Sequence, residues 1–122
     1  MINLFFALLT VGSYCDVMKH DSFYLNKYRQ KTVCQNIQLL EEETGKHNIR
    51  VSLMVSLIYV ESGWKKTVVS SANACGLTQV IPKYTGGPWS GGKKYTCSQL
   101  KNPKTSIRVG TRVLRWWIDW HT

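Results

Sequence analysis

V-S-L-M-V-S-L-I-Y-V-E-S-G-W, residues Val51 to Trp64, is an uncharged apolar run that ends on a carboxylate and then on a glycine. No strand-like alternation interrupts it, and its length suits a helix that stops at Gly63. Met54, Leu57 and Ile58 precede Glu61 by seven, four and three residues, so a helix places them on one face with it. An acid on a core-facing stripe is costly unless it is paired or has work to do. Two readings of Glu61 are open on chemistry alone. In the first, burial and the negative end of the helix dipole raise its pKa, making it a proton donor to a leaving oxygen. In the second it is a structural glutamate paired with one of the many Arg or Lys side chains.

Outward from this helix the pattern stays helical. Upstream, Asp16 to Gln30 is tyrosine-rich with a weak helical pattern. Thr32 then reads as an N-cap with Gln35 completing a capping box, Val33, Ile37 and Leu40 as one apolar face, and Gly45 as the stop. Glu41, Glu42 and Glu43 read as a solvated face, and Asn48 as the cap of the Val51 helix. Downstream, Lys65 to Cys75 is loop-like, Gly76 to Tyr84 reads as a short helix interrupted by Pro82, and Thr85 to Cys97 as an irregular glycine-rich loop. Asn102-Pro103 starts a last helix. It carries Ile107, Gly110, Leu114, Trp117 and Ile118 on one face and Arg108, Arg112, Arg115 and Asp119 on another, with Arg115 and Asp119 spaced as an i,i+4 pair. The expected fold is mainly α with little or no sheet.

The 122 residues suffice for one compact domain, and 43% hydrophobic content excludes a disordered chain by default. Sixteen Lys and Arg against seven Asp and Glu give a net charge of +9, which favours polyanionic surroundings without selecting among nucleic acid, anionic lipid and an acidic wall polymer. The apolar stretch Leu4 to Val11 is too short to span a bilayer. Residues 1–13 read either as a signal peptide, with Val11 and Ser13 before a cut, or as a retained apolar leader; residues 14–122 form the domain. Cys15, Cys34, Cys75 and Cys97 have no zinc-like spacing, and the three histidines are scattered, so no metal and no cofactor are expected. Four cysteines beside an export-like leader favour disulfides. Pairing Cys15 with Cys34 and Cys75 with Cys97 closes a loop within each half of the chain.

Other motifs carry less. Gly87 to Lys93, G-P-W-S-G-G-K, falls short of a phosphate-binding loop because Lys94 follows and no apolar strand precedes it. It reads as a rim loop with Trp89 packed on the body or stacked on a ligand. The Arg108, Arg112, Arg115 stripe with Trp116 and Trp120 reads as an amphipathic surface helix, and no nucleic acid partner is expected. The remaining acids form no motif with Glu61. A two-carboxylate glycosidase mechanism, with acids roughly 5 to 9.5 Å apart, therefore fits less well than a single-carboxylate one.

Three segments together resemble the catalytic domain of the soluble lytic transglycosylases, a lysozyme-like family. They are L-I-Y-V-E-S-G-W at Leu57 to Trp64, V-S-S-A-N-A-C-G-L-T-Q-V-I-P at Val69 to Pro82, and N-P-K-T-S-I-R-V-G-T-R-V-L-R-W at Asn102 to Trp116. The resemblance covers about residues 48 to 120. It implies a lysozyme-like fold and cleavage of the β-1,4 bond between N-acetylmuramic acid and N-acetylglucosamine in peptidoglycan glycan strands, with closure of a 1,6-anhydro ring. It also implies that Glu61 is the acid and base and that Ser70 positions the reacting sugar. Gln79 would contact substrate, Ile81 would stand in an apolar groove, and Ser62 would support the glutamate within the substrate-binding set. Thr78 stands where the family has Met, and Asn73 where it has Gly. The family's A-Y-N-x-G segment, with a tyrosine that orients the glutamate, does not occur in these 122 residues. A partner chain completing the groove at the tryptophan-rich last helix is therefore expected. Local wall opening in secretion, conjugation or phage entry is the implied setting, with an exported, periplasmic, wall-associated or virion-associated location. The alternative is a non-catalytic structural or wall-binding component that retains the fold.

Overall fold

The computed structural model describes Cys15 and residues 26–122. The leader, residues 1–13, and residues 16–25 of the tyrosine-rich stretch lie outside the described residues. Within residues 26–122, four helices account for most of the chain: α1 Lys27–Lys46, α2 Val51–Ser62, α3 Cys97–Leu100 and α4 Pro103–His121. Single 3-10 turns occur at Pro82–Tyr84 and Pro88–Ser90. Among the described residues there is no β-sheet. The only extended pairings among these residues are isolated bridges, Val69 with Cys75 and Cys75 with Val80.

Helix α1 begins earlier than Thr32. Asn26 caps it, its side chain accepting from the Arg29 amide at 2.9 Å. Thr32 is buried inside the helix and donates its hydroxyl to the Tyr28 carbonyl at 3.3 Å. A threonine can satisfy itself on the carbonyl four residues back, which makes its type a poor guide to a helix start. At the other end Gly45 stays helical and His47 is the C-cap. Asn48 does not cap α2; it takes φ 51°, a left-handed setting that asparagine tolerates, and Arg50 is the cap residue. The acidic run is not wholly solvated either. Glu43 is buried, with Oε1 3.4 Å from Lys46 Nζ and 3.8 Å from Arg108 Nε of α4.

The core joins Val33, Ile37 and Leu40 of α1 to Met54, Val55 and Ile58 of α2, with Trp64, Leu77 and Ile107 closing it. A smaller cluster holds Cys75, Leu100 and Val109. Helix α4 starts at the Asn102 cap, which accepts from the Lys104 and Thr105 amides, and packs along α1. Gly110 sits so close to Thr78 that an added Cβ would lie 2.4 Å from its side chain. The apolar face of α4 leaves the core towards its end: Ile107 and Gly110 are buried, Leu114 is half-buried and Trp117 is exposed. The arginines of its other face are engaged within the chain. Arg108 meets Glu43, the Arg112 guanidinium lies against Gly91, and Arg115 pairs with Asp119 at 2.6 Å while reaching the His47 carbonyl.

Both disulfides join the cysteines paired by loop closure, Cys15 with Cys34 and Cys75 with Cys97. The second ties the long loop after α2 to the start of α3. That loop does not contain the expected helix over Gly76 to Tyr84. Gly76 (φ 80°) and Gln79 (φ 56°) are left-handed, and the amides of Cys75 and Gly76 bond outward to the carbonyls of Val80 and Val68. A tight turn results, followed by the Pro82–Tyr84 3-10 turn. At the far end of the loop, Thr96 and Gln99 form a reciprocal capping box for α3, a helix start inside a stretch whose glycines read as irregular.

Candidate active site

The end of α2 is built by two successive left-handed residues. Gly63 (φ 59°) donates its amide to the Tyr59 carbonyl at 2.8 Å and terminates the helix. Trp64 (φ 62°) then turns the chain back beneath it, fully buried, with its indole Nε1–H on the Val55 carbonyl at 3.3 Å. A bulky residue in this region is uncommon and needs its surroundings to hold it. Here the indole is inserted in the core under α2, so the last turn of the helix is fixed from below.

That last turn carries Glu61 and Ser62 in different settings. Ser62 lies on the buried stripe with Met54 and Ile58, and its hydroxyl donates to the Ile58 carbonyl at 3.0 Å. Glu61 is exposed. The core stripe of α2 is thus Met54, Val55, Ile58 and Ser62, and the Leu57–Glu61 pair lies on its flank. This corrects the premise of a buried carboxyl: a residue three positions from Ile58 shares its side of the helix but not its depth.

Leu57, one turn before Glu61, opens onto a groove of about 310 Å³. The loop contributes Gln79, Val80 and Ile81 to it, and α4 contributes Val113, Leu114 and Trp117. Tyr84 and Trp89 also line it. The lining is mainly apolar and includes no charged side chain. Pockets of this size, apolar with few polar groups, are the usual form of small-ligand sites.

The polar groups in the groove are held firmly. Both amide hydrogens of Gln79 are committed, Nε2 lying 3.1 Å from the Val68 carbonyl and 2.9 Å from that of Gly76. What Gln79 offers a ligand is therefore its Oε1 acceptor. Thr78, in place of the family's Met, latches the turn to α4: its amide donates to Ser106 Oγ at 3.0 Å and its hydroxyl to the Ser106 carbonyl at 2.9 Å. Gly76 beneath is pressed on the Leu100 carbonyl, where an added Cβ would come within 2.0 Å of the oxygen.

Of the candidate residues, the structure brings Gln79 and Ile81 together in the groove, beside the helix whose last turn carries Glu61; Glu61 itself is not among the lining residues. Ser62 and Ser70 are not among the lining residues. Ser70 instead closes a tight turn, accepting from the Ala74 amide at 3.1 Å, which leaves its hydroxyl hydrogen to donate elsewhere. The motifs did not single out Leu57, Tyr84 and Trp117 as groove residues. The i,i+4 spacing of Leu57 and Glu61 was a usable signal for the first. Tyr84 and Trp117 depend on how the loop meets α4, which no local pattern encodes. Trp89 both packs and lines the groove: its ring meets Trp116 edge-on at 5.2 Å and its indole donates to the Tyr84 carbonyl.

An endo-type membrane-bound lytic murein transglycosylase A from Cronobacter sakazakii is 34% identical over 92 residues, covering 69% of this chain and 43% of the relative. A membrane-bound lytic murein transglycosylase E from Buchnera aphidicola is 32% identical over 95 residues, covering 74% of this chain and again 43% of the relative. The chain thus spans less than half the length of these relatives. No solved structure matches it. The model of the transglycosylase SLT domain matches residues 38–120, which takes in Glu61, the Gln79 turn and nearly all of α4. The chain belongs to the transglycosylase SLT domain family.

Proposed function

We propose that this domain is a peptidoglycan lytic transglycosylase in which Glu61 performs both proton transfers. The protonated carboxyl gives its proton to the glycosidic oxygen between N-acetylmuramic acid and N-acetylglucosamine as the C1–O bond breaks. The resulting carboxylate takes the proton of the muramoyl 6-hydroxyl as O6 bonds to C1, closing the 1,6-anhydro ring. The acid is regenerated and water is not consumed. Gln79 Oε1 accepts from a sugar hydroxyl or amide, Ile81 supplies apolar contact, Ser70 donates to the reacting sugar, and Ser62 holds the helix end beneath Glu61.

The observation that carries this reading is that Glu61 lies in the last turn of α2, one turn after Leu57, which lines a groove with Gln79 and Ile81. Among the described acids, Glu43 and Asp119 are committed to ion pairs on α1 and α4, in keeping with a single-carboxylate mechanism. The substrate lies outside the cytoplasmic membrane, so an exported, periplasmic or wall-associated location follows from the reading. No helix among the described residues is long and apolar enough to cross a membrane. The distal end of α4, where Trp120 is 71% exposed and stacked on Trp116, is the surface a second chain would cover in completing the groove. Digestion of purified peptidoglycan tests the reading: the protein should release anhydro-muropeptides and Glu61→Gln should release none.

One observation favours a second reading, a wall-binding component without catalysis. Glu61 is exposed and is not among the residues that line the groove. Retention on insoluble peptidoglycan with no release of any muropeptide would select that reading.

A further inference from the structure

Trp117 stands out because a large apolar side chain at the edge of a groove is left 55% exposed. It is not loosely placed. The His121 ring stacks on its indole at 4.0 Å between centroids, and His121 Nδ1 is 2.8 Å from the Trp117 carbonyl, so the two residues brace each other. With one face covered by His121, the uncovered face of the indole is the part that a ligand in the groove can meet. Tyr84, also lining the groove and 59% exposed, adds a second aromatic surface.

The groove's chemistry limits what that ligand is. Although the chain's net charge is +9, no charged side chain lines the groove, so an anionic group would find no side-chain ion pair there. A purely apolar occupant would leave the fixed Gln79 Oε1 without a donor. A pyranose ring meets both conditions: its axial C–H groups form an apolar face that lies against an aromatic ring, and its rim carries hydroxyl donors. We propose that Trp117, backed by His121, is a stacking platform for a sugar ring of the glycan strand, and so a substrate-positioning residue. The inference rests on the glycan-cleaving reading for its choice of polymer. Leu57, in the same groove, precedes Glu61 by four residues, about 6 Å along the helix axis, which puts the groove next to the turn that carries Glu61.

The test separates binding from cleavage. Isothermal titration of peptidoglycan glycan strands, stripped of stem peptides, is carried out on Glu61→Gln, on Glu61→Gln with Trp117→Ala, and on Glu61→Gln with Trp117→Phe. Trp117→Ala should weaken binding about tenfold, the size of one aromatic stacking contact, and Trp117→Phe should restore most of it. Leu53→Ala, at an exposed apolar residue on α2 outside the groove lining, should leave binding unchanged. Because Trp117 is exposed, matching far-UV spectra and melting temperatures should accompany the loss. Unchanged affinity in Trp117→Ala overturns the proposal, as does a Trp117→Phe that binds no better than Trp117→Ala, or strands that bind none of the proteins. If wild type releases no anhydro-products while binding still depends on Trp117, the catalytic reading fails and the platform stands.

Discussion

Replacing Trp64 with alanine should remove the support beneath Glu61 and most of the domain's stability together. The side chain is 0% exposed and fills the space between α2 and the loop that follows. A tryptophan buries about 150–250 Å². At about 25 cal/mol per Å² that corresponds to roughly 4–6 kcal/mol as an upper bound, because the unfolded chain already buries part of that surface. Measured losses for such truncations run at about 3–5 kcal/mol. The indole bond to the Val55 carbonyl accounts for about 1 kcal/mol more. Against a typical total of about 5–15 kcal/mol, Trp64→Ala should leave the domain marginal. Trp64→Phe keeps most of the apolar volume and loses the N–H, so it should cost about 1–2 kcal/mol. Urea unfolding followed by far-UV circular dichroism measures both changes without relying on tryptophan emission. A loss below about 1 kcal/mol for Trp64→Ala would refute the idea that this indole pins the end of α2.

Gly76→Ala should destabilise by more than the roughly 1 kcal/mol of a left-handed alanine, since the new Cβ also meets the Leu100 carbonyl, and thermal unfolding will show it. Removing the Cys75–Cys97 disulfide, whose sequence separation is 22 residues, should cost about 3 kcal/mol in chemical denaturation. The released loop carries Gln79, Ile81 and Tyr84, so glycan affinity should fall in the same variant even where it remains folded. Asp119→Asn should change stability by less than about 0.5 kcal/mol, because its pair with Arg115 is an exposed i,i+4 contact at the end of a helix.

The features legible in the sequence are those decided locally. Asn102-Pro103 starts α4 and Gly63 ends α2 because a side-chain cap and a left-handed glycine act within a few residues. The disulfide pairing follows from the short loops that each bridge closes. What the sequence concealed depends on a second element. Glu43 is drawn out of an acidic run by Arg108 across the α1–α4 contact. Glu61 shares helical spacing with Met54 and Ile58, yet it lies outside the buried stripe of α2, is exposed, and is not among the residues that line the groove. The turn at Gly76 to Gln79 looked helical because neither the left-handed φ of Gln79 nor the bonds of Cys75 and Gly76 to the Val80 and Val68 carbonyls leave a mark in residue type or apolar spacing. For the candidate site, the Gln79–Ile81 motif gave the groove's loop wall, whereas the aromatic wall at Trp117 required the packed structure.

The most direct measurement of the central claim is digestion of peptidoglycan in heavy-oxygen water, with products of wild type and Glu61→Gln analysed by mass. The account predicts that wild type releases anhydro-muropeptides containing no solvent oxygen and that Glu61→Gln releases nothing. Products with reducing ends carrying heavy oxygen, or release undiminished in Glu61→Gln, would contradict it.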